Sequence, residues 1–348
     1  MKFLEPVSMP QGGRIMPKKI SRSGWALALL AALVPGISAA ETAGGPAISL
    51  HDGVVVDLAS GAAYVMSQEG GIDAVQLSTG NVIWKSREAA KPLLARDGLL
   101  LAQARPGDKG GLALVTLDTR QGATRARVDV PLASGLRANV VDGPSQSFRA
   151  EAFVAADKST VVTWTAQDGK AFEAMPPSTE ENPAPSMSAS VSVVRPRRGA
   201  VRIDPAGGNA VAIEYEQAQS LRASALASRA EGIRVHSVGT ALREMTSLDG
   251  KHVLQSERSP QGTLQMPYRW TVKDAAGQVI GRTEAPVSLS PFVVSGSQVL
   301  YVAQPSAYRE GEKIVHQPLR LVSLDVVTGS KAWTAHLLDP AYRGPFPP

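Results

Sequence analysis

The chain has 348 residues, 43% of them apolar, with 36 Lys and Arg against 31 Asp and Glu and no cysteine. A chain of this length can bury a core without cross-links, and the missing thiol excludes disulfides, Cys-ligated metals and lipidation of an N-terminal Cys. The net charge of +5 invites a nucleic-acid reading, but five basic residues (Lys2, Arg14, Lys18, Lys19, Arg22) and one acidic residue (Glu5) lie within residues 1–40, and the remaining 31 against 30 lack the bulk field of a general nucleic-acid binder.

Residues 1–40 read as a secretory leader. Lys18, Lys19 and Arg22 form a basic segment, Trp25 to Val34 an apolar run, Pro35-Gly36 a break, and Ser38-Ala39-Ala40 a small-residue cleavage site. The apolar run spans ten residues where a membrane-crossing helix needs about 20. Cleavage is expected after Ala40, with Met16 as an alternative start. The expected location is the bacterial periplasm or the exterior.

The sequence then reads as short strands separated by glycine turns. VVVDLA (54–59), AAYVMS (62–67), IDAVQL (72–77) and NVIWKS (81–86) follow one another. LLARDG (93–98), LLLAQAR (99–105), LALVTLD (112–118) and TRARVDV (124–130) repeat the plan. A turn-and-tryptophan unit occurs near both ends: Ala74 through Thr79-Gly80 to Trp84, and Ser323 through Asp325 and Thr328-Gly329 to Trp333. Turn glycines at 80, 122, 169, 277 and 329 are spaced by 42, 47, 108 and 52 residues, and the 108-residue gap leaves room for a degenerate unit ending near Gly232–Val235. The fold expected is all-β, a β-propeller of about six (six to eight) four-stranded blades. It is expected to span residues 41–338, closed by N-terminal strands near 48–58 that complete the sheet ending after Trp333.

The spacing Ala-x-x-x-x-Thr-Gly-x-x-x-Trp at Ala74–Trp84 resembles the repeat of quinoprotein-like (pyrroloquinoline-quinone-like) β-propellers. The resemblance implies that Ala74, Gly80 and Trp84 dock adjacent blades, and Ser323, Asp325, Gly329 and Trp333 likewise, with Gly122 as the turn of a copy that carries Ala126 in place of Trp. Position 76 is Gln where the family favours Asp. The family's quinone dehydrogenases are about twice this length, stack the quinone on a vicinal disulfide and use an Asp beside Ca²⁺. A chain without Cys does not fit that pattern, so no cofactor is expected.

Three stretches depart from the rhythm. Met175–Ser190 is rich in Pro and Ser and reads as an exposed loop. Glu214–Glu231 has few β-branched residues and reads as a helical insertion or an irregular strand. The tail after Asp339 is Pro-rich.

Local catalytic patterns are absent. His51, His236, His252, His316 and His336 form no zinc spacing, and neither a Gly-x-Ser-x-Gly elbow nor a phosphate loop occurs. The Gly pairs at 70–71, 110–111 and 207–208 read as hairpin turns, and Asp157, Asp249 and Asp274 sit in turn-like contexts. Arg195-Pro196-Arg197-Arg198 is a solvated loop or a basic knob for an acidic partner; aromatics, at 5%, do not interleave with the basics as single-strand stacking requires. No catalytic, cofactor or metal residue is assigned. The function expected is a non-catalytic binding or scaffold protein of the cell envelope, with another envelope protein as partner and no nucleic acid. The alternative is a small-ligand-binding or quinone-dependent oxidoreductase-type propeller.

Overall fold

The computed structural model describes residues 47–105, 111–132, 148–166, 198–204, 209–227, 235–238, 242–263 and 265–340. The leader, the Met175–Ser190 stretch, Arg195–Arg197 and most of the Pro-rich tail lie outside the described residues.

Among the described residues five antiparallel meanders follow one another. The first holds β1 (Ile48–His51), β2 (Val54–Asp57), β3 (Ala62–Met66), β4 (Ile72–Gln76) and β5 (Val82–Ser86). The second holds β6 (Ala89–Arg96), β7 (Leu99–Ala104), β8 (Ala113–Asp118) and β9 (Thr124–Asp129). The third holds β10 (Phe148–Val154), β11 (Thr160–Ala166), β12 (Arg198–Asp204) and β13 (Asn209–Ile213), and is followed by the helix α1 (Tyr215–Ala227). The fourth holds β14 (Val235–Val238), β15 (Leu242–Thr246), β16 (His252–Arg258), β17 (Tyr268–Asp274) and β18 (Val279–Ala285). The fifth holds β19 (Phe292–Ser295) and β20 (Gln298–Ala303), a separate two-stranded hairpin of β21 (Ser306–Glu310) and β22 (Lys313–Gln317), then β23 (Arg320–Asp325) and β24 (Ser330–His336). Consecutive four-stranded meanders packed face to face make a β-propeller.

Both faces of most strands are apolar because both faces of a blade are covered. Tyr64, Ile72 and Trp84 meet Ala95, Leu100 and Leu117 between the first and second sheets. Leu101 and Leu114 meet Phe148, Trp164 and Val201 between the second and third. Leu254, Trp270 and Val272 meet Phe292, Tyr301 and Leu324 between the fourth and fifth. Val293, Leu300 and Trp333 of the fifth sheet meet Val54, Val65 and Leu77 of the first, so the last sheet packs on the first.

The expected closure by N-terminal strands is corrected. β1 and β2 pair within the first sheet, and among the described residues no strand from 48–58 joins the fifth. The first sheet is complete without donating a strand, so the joint is made by faces together with one backbone bond from the Leu338 N–H to the Met66 carbonyl at 3.0 Å. Gly169, the anchor of a further repeat, lies outside the described residues. Residues 167–197 connect the second and third strands of the third sheet, not the third and fourth. The interval assigned to a degenerate unit holds β12 and β13 of the third sheet, then α1, with Val235 opening β14 of the fourth.

The helix follows from its sequence. YEQAQSLRASALA contains strong helix formers, neither Gly nor Pro nor a β-branched residue, and an acidic Glu216 in the first turn. Ala218 and Leu221 lie on Val161, Ala200 and Ile213, so α1 covers the face of the third sheet turned away from the second.

Candidate interaction surface

The residues singled out by the turn-and-tryptophan unit meet in two sheet-to-sheet joints. Trp84 on β5 donates its indole N–H to the Thr119 carbonyl of the second sheet at 2.8 Å. A Cβ on Gly122, which holds φ +69°, would stand 2.5 Å from the Trp84 ring. Trp333 on β24 donates to the Leu77 carbonyl of the first sheet at 2.8 Å, and a Cβ on Gly80 (φ +76°) would meet that ring at 2.6 Å. Ala74 and Ser323 are fully buried, each paired across strands with its Trp. Asp325 accepts from the amides of Val327 and Thr328 in its own turn, and these bonds, with that of Thr328 foremost, hold its carboxyl below the usual carboxylate range. Gly329, at φ +69°, faces the Arg282 carbonyl rather than an indole.

A third joint of the same kind has no tryptophan. Gly281 of β18 pairs with Val272 just past a bulge, the place that Trp84 and Trp333 hold in their sheets. A Cβ there would strike the Val326 carbonyl, and the neighbouring Arg282 amide donates to that carbonyl at 2.8 Å. Leu77, Thr119 and Val326 each follow the last residue of the next-to-last strand of their sheet. The acceptor is therefore the same backbone group in three joints, and only the donor changes.

The second sheet has Ala126 at the Trp position and joins the third sheet with polar side chains instead. Lys91 is buried at 3% exposure and donates to the Ala150 carbonyl at 3.0 Å, while Gln103 donates to the Phe148 carbonyl at 3.0 Å. Lys91 also pairs with Asp52 of the β1–β2 turn. Asp52 is followed by Arg149 at 3.6 Å, then Glu151 at 3.4 Å, then Arg222 of α1 at 2.8 Å from Glu151. A line of alternating charge thus crosses the first three sheets and ends on the helix.

Ser247, Asp249 and His252 are the residue types of a hydrolytic triad, but their geometry is that of a turn. The Ser247 hydroxyl donates to Asp249 at 2.5 Å and accepts from the His252 backbone N–H at 2.9 Å. The imidazole does not lie between serine and acid, as proton transfer would require. Asp157 likewise caps its own turn through Ser159, and the Gly70–Gly71 pair forms the β3–β4 turn. The pairs at 110–111 and 207–208 fall wholly or partly outside the described residues. Among the described residues no group of three His, Asp or Glu side chains is placed to hold a metal ion, and no helix is long and apolar enough to cross a membrane. Of the arginine cluster only Arg198 is described; it pairs with Glu216 at 2.8 Å and lies over the Tyr215 ring.

One blade face differs from all others. The five meanders have ten faces, and nine of them line an apolar cluster among the described residues. The tenth is the face of the fourth sheet turned away from the fifth. Register alternation places Glu244, Val253, Gln255, Glu257, Arg269, Thr271, Lys273, Arg282 and Glu284 on it. These side chains are half-buried or exposed. Gln255 bonds Glu244, and Glu284 accepts from Arg269 at 3.3 Å and Ser259 at 3.0 Å. The second oxygen of Glu284 is shielded and carries no partner. Acidic and basic groups balance on this face, so it offers hydrogen bonds and paired charge rather than a field of one sign. Sequence reading did not single it out, although the alternation of Leu254 with Gln255 and of Trp270 with Thr271 carries the signal.

No family model matches the chain, and no curated protein matches it. Among solved structures, BamB from Moraxella catarrhalis aligns at 14% identity and a TM-score of 0.26, covering 79% of this chain and 61% of its own. The Cps50 (Swd1) β-propeller domain of Myceliophteria thermophila aligns at 13% identity and a TM-score of 0.26, covering 83% and 88%. The quinohemoprotein alcohol dehydrogenase ADHIIG of Pseudomonas putida HK5 aligns at 12% identity and a TM-score of 0.21, covering 83% and 59%. The chain thus spans about three-fifths of the Moraxella and Pseudomonas proteins.

Proposed function

We propose that this chain is an exported, non-catalytic β-propeller that serves as a binding or scaffold platform in the bacterial cell envelope, its leader removed after Ala40. The observation that carries this reading is the charged face of the fourth sheet. Among the described residues every other blade face lines an apolar cluster, whereas this one holds paired polar groups at partial exposure, the composition of a protein-binding rim rather than of a core. The residues that resemble the quinoprotein repeat support the same reading, because Trp84, Trp333, Gly80 and Gly122 make contacts between sheets. Their role is docking, with Ala74, Ser323 and the Asp325–Gly329 turn as its close-packed support.

A photo-crosslinking residue placed at Thr271 in the exported protein tests the reading. The expected result is a discrete protein adduct in the periplasm, lost on double charge reversal at Arg269 and Lys273, with no adduct from a probe at Gln121 on a distant turn. Absence of any adduct from the fourth sheet, or tight quinone binding with Ca²⁺-dependent dehydrogenase activity, overturns it. N-terminal sequencing checks the leader: a mature chain that retains Met1 or Met16 removes the export claim.

A further inference from the structure

We infer that the outer edge of the third sheet, strand β13, captures an extended, uncharged segment of a partner protein by adding it as a further strand. The inference rests on the reading of the chain as a binding platform and names a second point of contact on it. An outer strand presents unpaired backbone N–H and C=O groups, and native proteins guard such edges with charge or Pro. Four outer strands here are guarded. β5 carries Lys85, β9 carries Arg125, Arg127 and Asp129, β18 carries Arg282 and Glu284, and β24 carries Lys331. β13 reads Asn-Ala-Val-Ala-Ile and has neither charge nor Pro.

Among the described residues its outer edge is open. β13 is the last strand of its sheet and pairs with β12 alone among the described residues. Val211 is 64% exposed, and Asn209 and Ala212 are exposed beside it. The helix that follows turns back over β11 and β12, where it buries Ala218, instead of covering the edge.

The geometry also selects the occupant. The alternating donors and acceptors of a strand edge are matched by extended backbone, and the flanking side chains here favour small or apolar neighbours over charged ones. A five-residue strand is roughly 17 Å long. Edge pairing of that length falls well short of the ~1,200 Å² that a stable dimer interface needs. A peptide segment fits this site, and a second copy of the chain does not.

The test uses the full exported chain and two synthetic nine-residue peptides, one alternating Val and Thr, the other alternating Val and Glu. The Val/Thr peptide is expected to bind and to slow hydrogen exchange at residues 209–213. Val211→Lys and Ala212→Lys, both at exposed positions, should weaken that binding at least tenfold while leaving the thermal transition in place. The Val/Glu peptide should bind at least tenfold more weakly than the Val/Thr peptide. Equal binding by the Lys variants, or protection confined to other strands, overturns the proposal. Dimerisation in sedimentation that Val211→Lys abolishes overturns it in favour of self-association. Failure here with intact crosslinking from Thr271 removes the edge and leaves the platform; failure at Thr271 with protection at β13 does the reverse.

Discussion

Replacing Trp333 with Ala should open the joint between the last and first sheets. The side chain is 8% exposed, its ring lies on Gly80, and its N–H meets the Leu77 carbonyl. Loss of a buried Trp to Ala costs about 3–5 kcal/mol. Against a whole-domain stability of about 5–15 kcal/mol, that loss is a large fraction. Trp333→Phe keeps most of the plate and loses the donor, so it should cost less, about 1–3 kcal/mol from the carbonyl left without its partner. Gly80→Ala supplies the second arm of a cycle. In the native background its Cβ would stand 2.6 Å from the ring and φ +76° would be strained. Once Trp333 is Ala the ring atoms at 2.6 and 2.8 Å are gone while its Cβ at 2.7 Å stays, so Gly80→Ala should cost less than in the native background but more than the ~1 kcal/mol of its backbone alone. The two substitutions should therefore be non-additive, through the lost ring contacts. Urea unfolding followed by far-UV circular dichroism measures all four proteins. Additive losses, or an unchanged midpoint for Trp333→Ala, would refute the docking role.

Other joints give further tests. Gly281→Ala should destabilise by about 1–3 kcal/mol, because a Cβ there strikes backbone. Gly277→Ala meets nothing within 4 Å and should cost only the strain of its φ +80°, about 1 kcal/mol; equal midpoints for the two in urea would remove Gly281 as a contact point. Lys91→Ala should cost about 2–3 kcal/mol, below the 3–5 kcal/mol of a fully enclosed pair, because the Asp52 side chain is 28% exposed and keeps Arg149. Lys91→Met, which refills the volume, should cost less, and a reversed order would argue against a packing contribution. Asp325→Asn tests the turn through pH. The folded carboxyl titrates below its unfolded value near 3.9, so its contribution is present above that pH and is lost as pH falls through the lower folded value. The stability gap between native and Asp325→Asn protein should hold at pH 5–7 and narrow from about pH 4 downward; a gap that widens in acid would contradict the assignment.

How much of this was legible in sequence depends on which atom does the work. The strands of the first two sheets match their sequence reading closely, because glycine turns at fixed φ punctuate runs of apolar residues. The Trp84 and Trp333 joints were legible because an indole is a rare side chain at a fixed distance from its turn. Two other joints were not. In the fourth sheet the position that elsewhere holds Trp holds Gly281, and the bond passes to the Arg282 amide, which every non-proline residue possesses. In the second, Lys91 and Gln103 reach carbonyls of β10 that are 59 and 45 residues away in the chain. The interval 167–197 hid the third sheet from any fixed period, since it separates the second and third strands of that sheet. What recurs between sheets is an acceptor, the carbonyl of Leu77, Thr119 or Val326, and carbonyls leave no trace in residue identity. The charged face of the fourth sheet escaped for a related reason. Its strands alternate as a half-solvated sheet should, but in a chain of blades covered on both sides the alternation stands out only once that face is found to line no apolar cluster among the described residues.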